Sequence, residues 1–117
     1  MHAIKEIDAG QLAAWLSENP DAVRLVDVRS PAEMAQGMLP GAEAMPLHLV
    51  PLHEAELHAS GRPVVIYCRT GARSAQACMY LSARDPGTEY INLRGGIMDW
   101  ARQGYEVVLP PGEQANG

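Results

Sequence analysis

The sequence predicts an α/β domain in three layers, with a central, mainly parallel sheet and helices on both of its faces. Residues 23–28 and Val64–Tyr67 are dense in Val, Leu and Ile, which is typical of strands covered on both sides in a parallel sheet. Segments with helical periodicity alternate with these strands along the chain. The 117 residues, 47% of them hydrophobic, are enough for one substantial core and too few for two domains.

The chain begins with a short predicted strand at residues 4–7, followed by a helix over residues 11–16. Asp8 is placed to cap this helix, because a carboxylate before the first turn accepts hydrogen bonds from free backbone N–H groups. Asn19-Pro20-Asp21 then ends the helix, and the strand at residues 23–28 follows.

A second helix is predicted to begin directly after that strand. Ser30 and Glu33 have the spacing of a capping box, and Pro31 occupies the first helical position, where its missing N–H does no harm. The next predicted elements are a turn at residues 39–42, a short extended piece at 44–45 and an irregular helical stretch over about 48–58.

The second half of the chain centres on the predicted strand Val64–Tyr67. A loop leads from this strand to a helix over about residues 73–83, which Asp85-Pro86-Gly87 ends. The remaining predicted elements are a strand at Tyr90–Leu93, a helix that runs from Gly95-Gly96 to Gly104, and an extended piece at 105–108.

We expect residues 1–109 to form the domain and residues 110–117, rich in Pro, Gly and polar side chains, to form a flexible tail. No run of 18 apolar residues is present, so a membrane is not an expected partner. The net charge of −5 argues against nucleic acid. Two cysteines do not make a disulfide framework, and no leader pattern precedes Asp8, so we expect a reducing cytoplasm.

The charges are unevenly distributed along the chain. Residues 1–61 carry three basic side chains against nine acidic ones, whereas residues 62–102 carry six arginines against three carboxylates. Cys68 therefore lies in the basic part of an acidic protein. This distribution favours a small anionic substrate that is attracted locally.

Cys68 is placed where a thiol becomes reactive. It ends an apolar strand, a short loop follows, and a helix then begins. Backbone N–H groups and the dipole at a helix N-terminus favour a negative charge there, and Arg69 and Arg73 add positive charge. These conditions lower the pKa of a cysteine and favour the nucleophilic thiolate.

A set of ordered landmarks resembles the single-domain rhodanese family. They are Asp27-Val28-Arg29, Glu33, the turn at residues 37–42, the loop at residues 68–74, and Gly95-Gly96 with Trp100. The resemblance extends from about residue 4 to residue 108. One departure is Met38-Leu39, where the family usually has His-Ile before Pro-Gly-Ala. That segment resembles a packing and turn element, so we expect the change to leave the chemistry unaffected.

The resemblance implies a sulfurtransferase that works without a cofactor. Cys68 would take the outer sulfur of thiosulfate or of a persulfide donor, and would hold it as a persulfide. A nucleophilic acceptor such as cyanide or a thiol would then remove that sulfur. The implied partners are a small anionic donor and such an acceptor, with an acceptor protein as a further candidate.

The loop offers donors for such a sulfur. The N–H groups from Arg69 through Thr70, Gly71 and Ala72 to Arg73 can form a ring, since glycine permits a positive φ at the bend. These five residues form the candidate substrate site. Both sulfur-transfer steps develop negative charge on sulfur, so preorganised donors matter more than a general base.

The arginines of the loop have different expected roles. We expect Arg69 to contact the anionic end of the donor, because it follows the nucleophile directly and points outward. We expect Arg73 to brace the loop, with Asp27 as its candidate partner; the alternative is an ordinary arginine in the first turn of a helix. Asp27 and Arg29 are predicted to support the site from behind, and Glu33 to serve first as a capping residue.

Two hydroxyl groups in the loop have an open role. Thr70 and Ser74 can donate to the sulfur of Cys68, or they can make ordinary local hydrogen bonds in the loop and the helix cap. Cys78 lies among apolar positions of the following helix, which is typical of a buried inert thiol, although a resolving thiol is the alternative.

Two other classes of function compete with sulfur transfer. A cysteine phosphatase or arsenate reductase also has an arginine after its cysteine loop, but such loops have five intervening residues, whereas Cys68 and Arg73 have four between them. A protein-to-protein sulfur relay or interaction module is the second alternative. A metal site is not expected, since His48, His53 and His58 are five residues apart and do not share a helix face.

Overall fold

Five parallel strands form the central sheet of the protein, whose computed structural model describes residues 4–110. The strands are β1 (Lys5–Ile7), β2 (Arg24–Asp27), β3 (Glu43–Ala44), β4 (Val64–Tyr67) and β5 (Tyr90–Leu93). The helices are α1 (Ala9–Glu18), α2 (Pro31–Met34), α3 (Glu54–His58), α4 (Ala72–Arg84) and α5 (Gly96–Arg102), with a 3-10 helix (Leu47–His53) before α3.

The strand order is β1-β5-β4-β2-β3, and every pairing between these strands is parallel. In the centre, Ile66 of β4 pairs with Val26 of β2 on one side and with Asn92 of β5 on the other. The carboxyl ends of all three strands therefore meet at one edge of the sheet. Cys68 follows β4 at that edge, where open α/β sheets bind their ligands.

Two separate apolar layers cover the sheet, which confirms the predicted three-layer class. One core cluster joins the sheet to α4 and to the segment of the 3-10 helix and α3. The other cluster joins the opposite face to α1 and α5. β2, β4 and β5 are buried along almost their whole length, as the dense apolar runs predicted.

The predicted helix starts are confirmed by their caps. Asp8 accepts a hydrogen bond from Gln11 N at 2.8 Å, and Gln11 completes a capping box. Ser30 and Glu33 form the predicted box at α2. Most observed boundaries lie within two residues of the predicted ones.

The segment at 105–108, expected to be extended, lies outside the central sheet and pairs through Val108 with Met38 in an isolated antiparallel bridge. The beginning of this segment is held by α5 instead. The Trp100 indole donates to the carbonyl of Glu106 at 2.8 Å, and its ring packs on Tyr105. The expected tail at 110–117 lies outside the described residues apart from Pro110. Within residues 4–110, no helix has the length and apolar character needed to cross a membrane.

Candidate active site

Cys68 lies at the bottom of a tight loop between β4 and α4. The residue is almost completely buried, with 1% of its surface exposed. Gly71 turns the chain into α4 with a φ of +112°, a conformation that a residue with a side chain rarely adopts. The loop therefore folds back over the sulfur, as the glycine predicted.

The sulfur of Cys68 is surrounded by hydrogen-bond donors. Gly71 N lies 3.1 Å from Sγ, and both the N–H and the hydroxyl of Ser74 lie 3.4 Å from it. Burial alone would raise the pKa of the Cys68 thiol, but the bonds from Ser74, Gly71 and the Thr70 N–H outweigh it and lower this pKa. Donors of this kind stabilise a thiolate without a general base.

The Gly95-Gly96 pair holds the loop from the side. The N–H groups of Ile97 and Met98 donate to the carbonyls of Cys68 and Arg69, each at 3.0 Å. Gly96 has a φ of +57°, and a Cβ there would lie 2.5 Å from the Cys68 carbonyl oxygen. Only glycine lets α5 approach the backbone of the nucleophile this closely.

Arg73 braces the loop, but its expected partner was wrong. Its guanidinium binds the Glu33 carboxylate with two bonds of 2.7 and 2.9 Å, rather than binding Asp27. The reason is that the carboxylate of Asp27 is already occupied by Arg29, whereas Glu33 lies at the start of α2 beside the loop. Arg73 also holds the pKa of Glu33 down at about 2 through these bonds.

Asp27 and Arg29 form a buried ion pair behind the site. Arg29 Nη2 binds Asp27 at 2.8 Å and the carbonyl of Gly37 at 2.5 Å, and Arg29 N donates to Asp27 Oδ1 at 2.9 Å. Both residues are at least 95% buried. This pair ties the end of β2 to the turn after α2, and in the described residues it makes no hydrogen bond to Cys68.

The outer side of the loop is exposed. The side chain of Arg69 forms no ion pair or hydrogen bond within residues 4–110, so its charge is available to an anion. Thr70 and Ala72 are also exposed, while Ser74 is fully buried. The hydroxyl that lies at the sulfur is therefore that of Ser74 and not that of Thr70.

Cys78 is buried inside α4, as its apolar neighbours predicted. Burial raises the pKa of its thiol to about 12, which makes it unreactive near neutral pH. No group of three metal-binding side chains occurs in the described part of the chain.

Sequence reasoning missed one buried polar residue at the site, Asn92 in β5. Its side chain contacts Glu6, Gly71 and Ser74. A signal was present, because asparagine is depleted in strands and this one interrupts an otherwise apolar run.

A buried cysteine whose sulfur accepts from two backbone N–H groups and a hydroxyl, at the carboxyl edge of a parallel sheet, is typical of a class of thiol-dependent enzymes. Comparison with known proteins narrows this class. The rhodanese-like domain family matches residues 8–103. A sulfurtransferase of Allochromatium vinosum is 50% identical over 109 residues, which are 93% of this chain and 99% of that protein.

Two further proteins agree with this match. A putative sulfurtransferase of Bacillus subtilis is 34% identical over 83% of this chain and 90% of its own length. The crystal structure of a rhodanese-related protein from Thermoplasma volcanium superimposes with a TM-score of 0.76 at 31% identity, over 91% of this chain and 99% of that one. The chain belongs to the rhodanese-like domain family, and its relatives assign it in general to the sulfurtransferases.

Proposed function

We propose that this protein transfers a sulfane sulfur from thiosulfate, or from a persulfide donor, to a nucleophilic acceptor through a persulfide on Cys68. The observation that carries this proposal is the ring of donors around Sγ. Within the described residues, no histidine or carboxylate is hydrogen-bonded to the sulfur. The site thus suits a nucleophile that is stabilised as an anion.

In the first half-reaction, the Cys68 thiolate attacks the outer sulfur of the donor. A new S–S bond forms to Cys68, the S–S bond of thiosulfate breaks, and sulfite leaves with the electron pair. The terminal sulfur of the persulfide then carries the negative charge. The N–H groups of Gly71 and Ser74 are preorganised at Cys68 Sγ, next to the sulfur on which this charge develops.

In the second half-reaction, the acceptor attacks the terminal sulfur of the persulfide. The S–S bond breaks, and the electron pair returns to Cys68 as the thiolate. Cyanide leaves as thiocyanate, and a thiol leaves as a new persulfide. The same donors stabilise the regenerated thiolate, so one set of donors serves both half-reactions.

Arg69 supports an anionic donor as the first substrate. Its guanidinium is exposed, has no partner within residues 4–110 and follows Cys68 directly, so it can bind the sulfonate end of thiosulfate. An acceptor protein is a further partner that we propose. A reducing compartment such as the cytoplasm would keep Cys68 available for the reaction.

The phosphatase alternative is less well supported by the site. A phosphatase needs its arginine to face the bound oxyanion, whereas the guanidinium of Arg73 is engaged by Glu33 through two hydrogen bonds. The loop is also one residue shorter than such enzymes use. We expect negligible turnover of an aryl phosphate or arsenate beside thiosulfate.

The direct test is mass spectrometry of the intact protein after incubation with thiosulfate. We expect a gain equal to one sulfur atom, located on Cys68, reversed by cyanide and absent from Cys68→Ser. Cys78→Ser is the matched control and should gain the sulfur normally. Labelling on Cys78 alone, or equal turnover of an aryl phosphate, would contradict the proposal.

A further inference from the structure

Asn92 lies buried beside the nucleophile, with 2% of its surface exposed. It alternates along β5 with Ile91 and Leu93, which face the other core cluster. Its side chain therefore points to the face of the sheet on which Cys68 and α4 pack.

The hydrogen bonds of Asn92 fix its amide in one orientation. Nδ2 donates to Glu6 Oε2 at 2.9 Å and to the carbonyl of Gly71 at 3.2 Å. Because both acceptors lack protons to donate, a flipped amide would place its oxygen against them. Oδ1 must then face Ser74, whose hydroxyl donates to it at 2.5 Å.

The residues that Asn92 holds are the same ones that donate to the sulfur. The carbonyl of Gly71 accepts a hydrogen bond from Asn92, and the N–H of Gly71 donates to Cys68 Sγ. The hydroxyl of Ser74 donates a hydrogen bond to Asn92. The N–H and the hydroxyl of Ser74 both lie 3.4 Å from Sγ. One side chain therefore sets the positions of the loop donor and of the helix donor at once.

The Ser74 hydroxyl has a single proton to share between two acceptors. It lies 2.5 Å from Asn92 Oδ1 and 3.4 Å from Cys68 Sγ, so the bond to Asn92 is the stronger of the two. The sulfur therefore depends chiefly on the N–H groups of Gly71 and Ser74, and the amide of Asn92 holds these two residues in place. A leucine of similar size would fill the space but would supply neither bond.

We propose that Asn92, held from the surface by Glu6, is a positioning residue that arranges the sulfur donors of Cys68. This inference rests on the proposed function, since it concerns the anion that the sulfur chemistry needs. It predicts that the reactivity of Cys68 depends on a residue of β5 and a carboxylate of β1 that do not touch the sulfur.

The test measures the pH profile of Cys68 alkylation by iodoacetamide in Asn92→Leu, beside steady-state kinetics with thiosulfate and cyanide. We expect the midpoint of alkylation to move to higher pH, so that about tenfold less thiolate is present at a fixed pH below it. We expect kcat to fall about tenfold and the KM for thiosulfate to change less than about twofold. A residue that only packs would lower the melting temperature without moving the alkylation profile.

Two variants of Glu6 extend the test from the exposed surface. Glu6→Ala removes the acceptor of Nδ2 and should shift the alkylation midpoint in the same direction, by a smaller amount. Glu6→Gln keeps an acceptor oxygen and should restore the profile of the native protein. Glu89→Ala is the matched control, because this exposed carboxylate pairs with Lys5 away from the loop.

An alkylation profile in folded Asn92→Leu that equals that of the native protein, or that lies at lower pH, would overturn the proposal. If that variant does not fold, an unchanged profile in Glu6→Ala overturns it instead. Alkylation uses no sulfur donor, so this result is independent of the proposed reaction. A native protein that fails to turn over thiosulfate, but whose Cys68 still responds to Asn92, would refute the donor and leave the positioning role standing.

Discussion

Arg69 and Arg73 both follow Cys68 closely in the chain, yet the structure places them in different surroundings. Arg69 is exposed and unpaired within the described residues, whereas Arg73 is bound to Glu33. Replacing each with methionine keeps the aliphatic stem and removes only the charge and its hydrogen bonds. We expect Arg69→Met to raise the KM for thiosulfate, and Arg73→Met to lower kcat.

The expected size of the Arg69 effect follows from its exposure. Two unit charges about 4 Å apart attract by about 1 kcal/mol in bulk water and by about 4 kcal/mol near a protein surface. An exposed arginine lies toward the weaker limit, so about 1.5 kcal/mol is reasonable. This contact exists in the ground state and in the transition state alike, so KM should rise about tenfold with little change in kcat.

The effect of Arg73 has a different origin. Its two bonds to Glu33 measure 2.7 and 2.9 Å, and the two side chains are 37% and 31% exposed, so the pair contributes only about 1 kcal/mol after solvent screening. Arg73 also lies in the chain between Gly71 and Ser74, which both donate to Sγ. Its loss should loosen those donors, lowering kcat about fivefold and unfolding free energy by about 1 kcal/mol.

The assay is steady-state kinetics with thiosulfate and cyanide, with thermal unfolding measured in parallel. Arg102→Met is the matched control, because this exposed arginine lies in the last turn of α5, at the opposite end from the loop. If Arg69→Met leaves KM unchanged while Arg73→Met alone raises it, the roles are reversed and Arg73 binds the donor.

Three further predictions concern pH and the backbone. The rate of alkylation of Cys68 should level off at a lower pH than that of a model thiol, because its pKa is lowered. Cys78, with a pKa of about 12, should resist alkylation in the folded protein at neutral pH. Equal alkylation rates for the two cysteines would contradict this. Because Glu33 has a folded pKa of about 2, below the ordinary value of 4.5, its contribution is present above about pH 4.5 and is lost as the pH falls from there toward 2. Glu33→Gln should therefore destabilise the protein by about 1 kcal/mol at pH 7, and urea unfolding should show this difference narrowing in acid. Gly96→Ala should lower the free energy of unfolding by about 3 kcal/mol and abolish sulfur loading. Gly41→Ala is the matched control, because Gly41 also has a positive φ but has nothing within 4 Å of the added Cβ. It should lower the free energy of unfolding by about 1 kcal/mol and retain sulfur loading.

Much of the local structure could be predicted because its signals lie within a few residues of each other. The strands Val64–Tyr67 and Tyr90–Leu93 begin and end at the residues that the sequence predicted. The capping boxes at Asp8 and Ser30 need only a partner three residues later. The place of Cys68, between a buried strand and a helix N-terminus, follows from the same kind of short-range pattern.

The partners of the site could not be predicted in this way. Arg73 and Glu33 are 40 residues apart, and Ser74 and Asn92 are 18 apart, so no local spacing indicates either contact. The wrong pairing of Arg73 with Asp27 has the same cause. Several carboxylates were available in the sequence, and only the folded chain shows that Asp27 is already occupied by Arg29.

The sequence by itself determined the class of the fold, the place of Cys68 between a buried strand and a helix, and the glycine that lets the loop turn. Tertiary structure decided which side chains surround that loop. The strand order β1-β5-β4-β2-β3 places β5 and β2 on either side of β4, so Asn92 of β5 and Glu33 of α2 contact the segment after Cys68 from different elements. Hydrophobic periodicity indicates which face of an element is buried, but not which strand becomes its neighbour. That neighbour here supplies the side chain that binds Gly71 and Ser74 beside the sulfur.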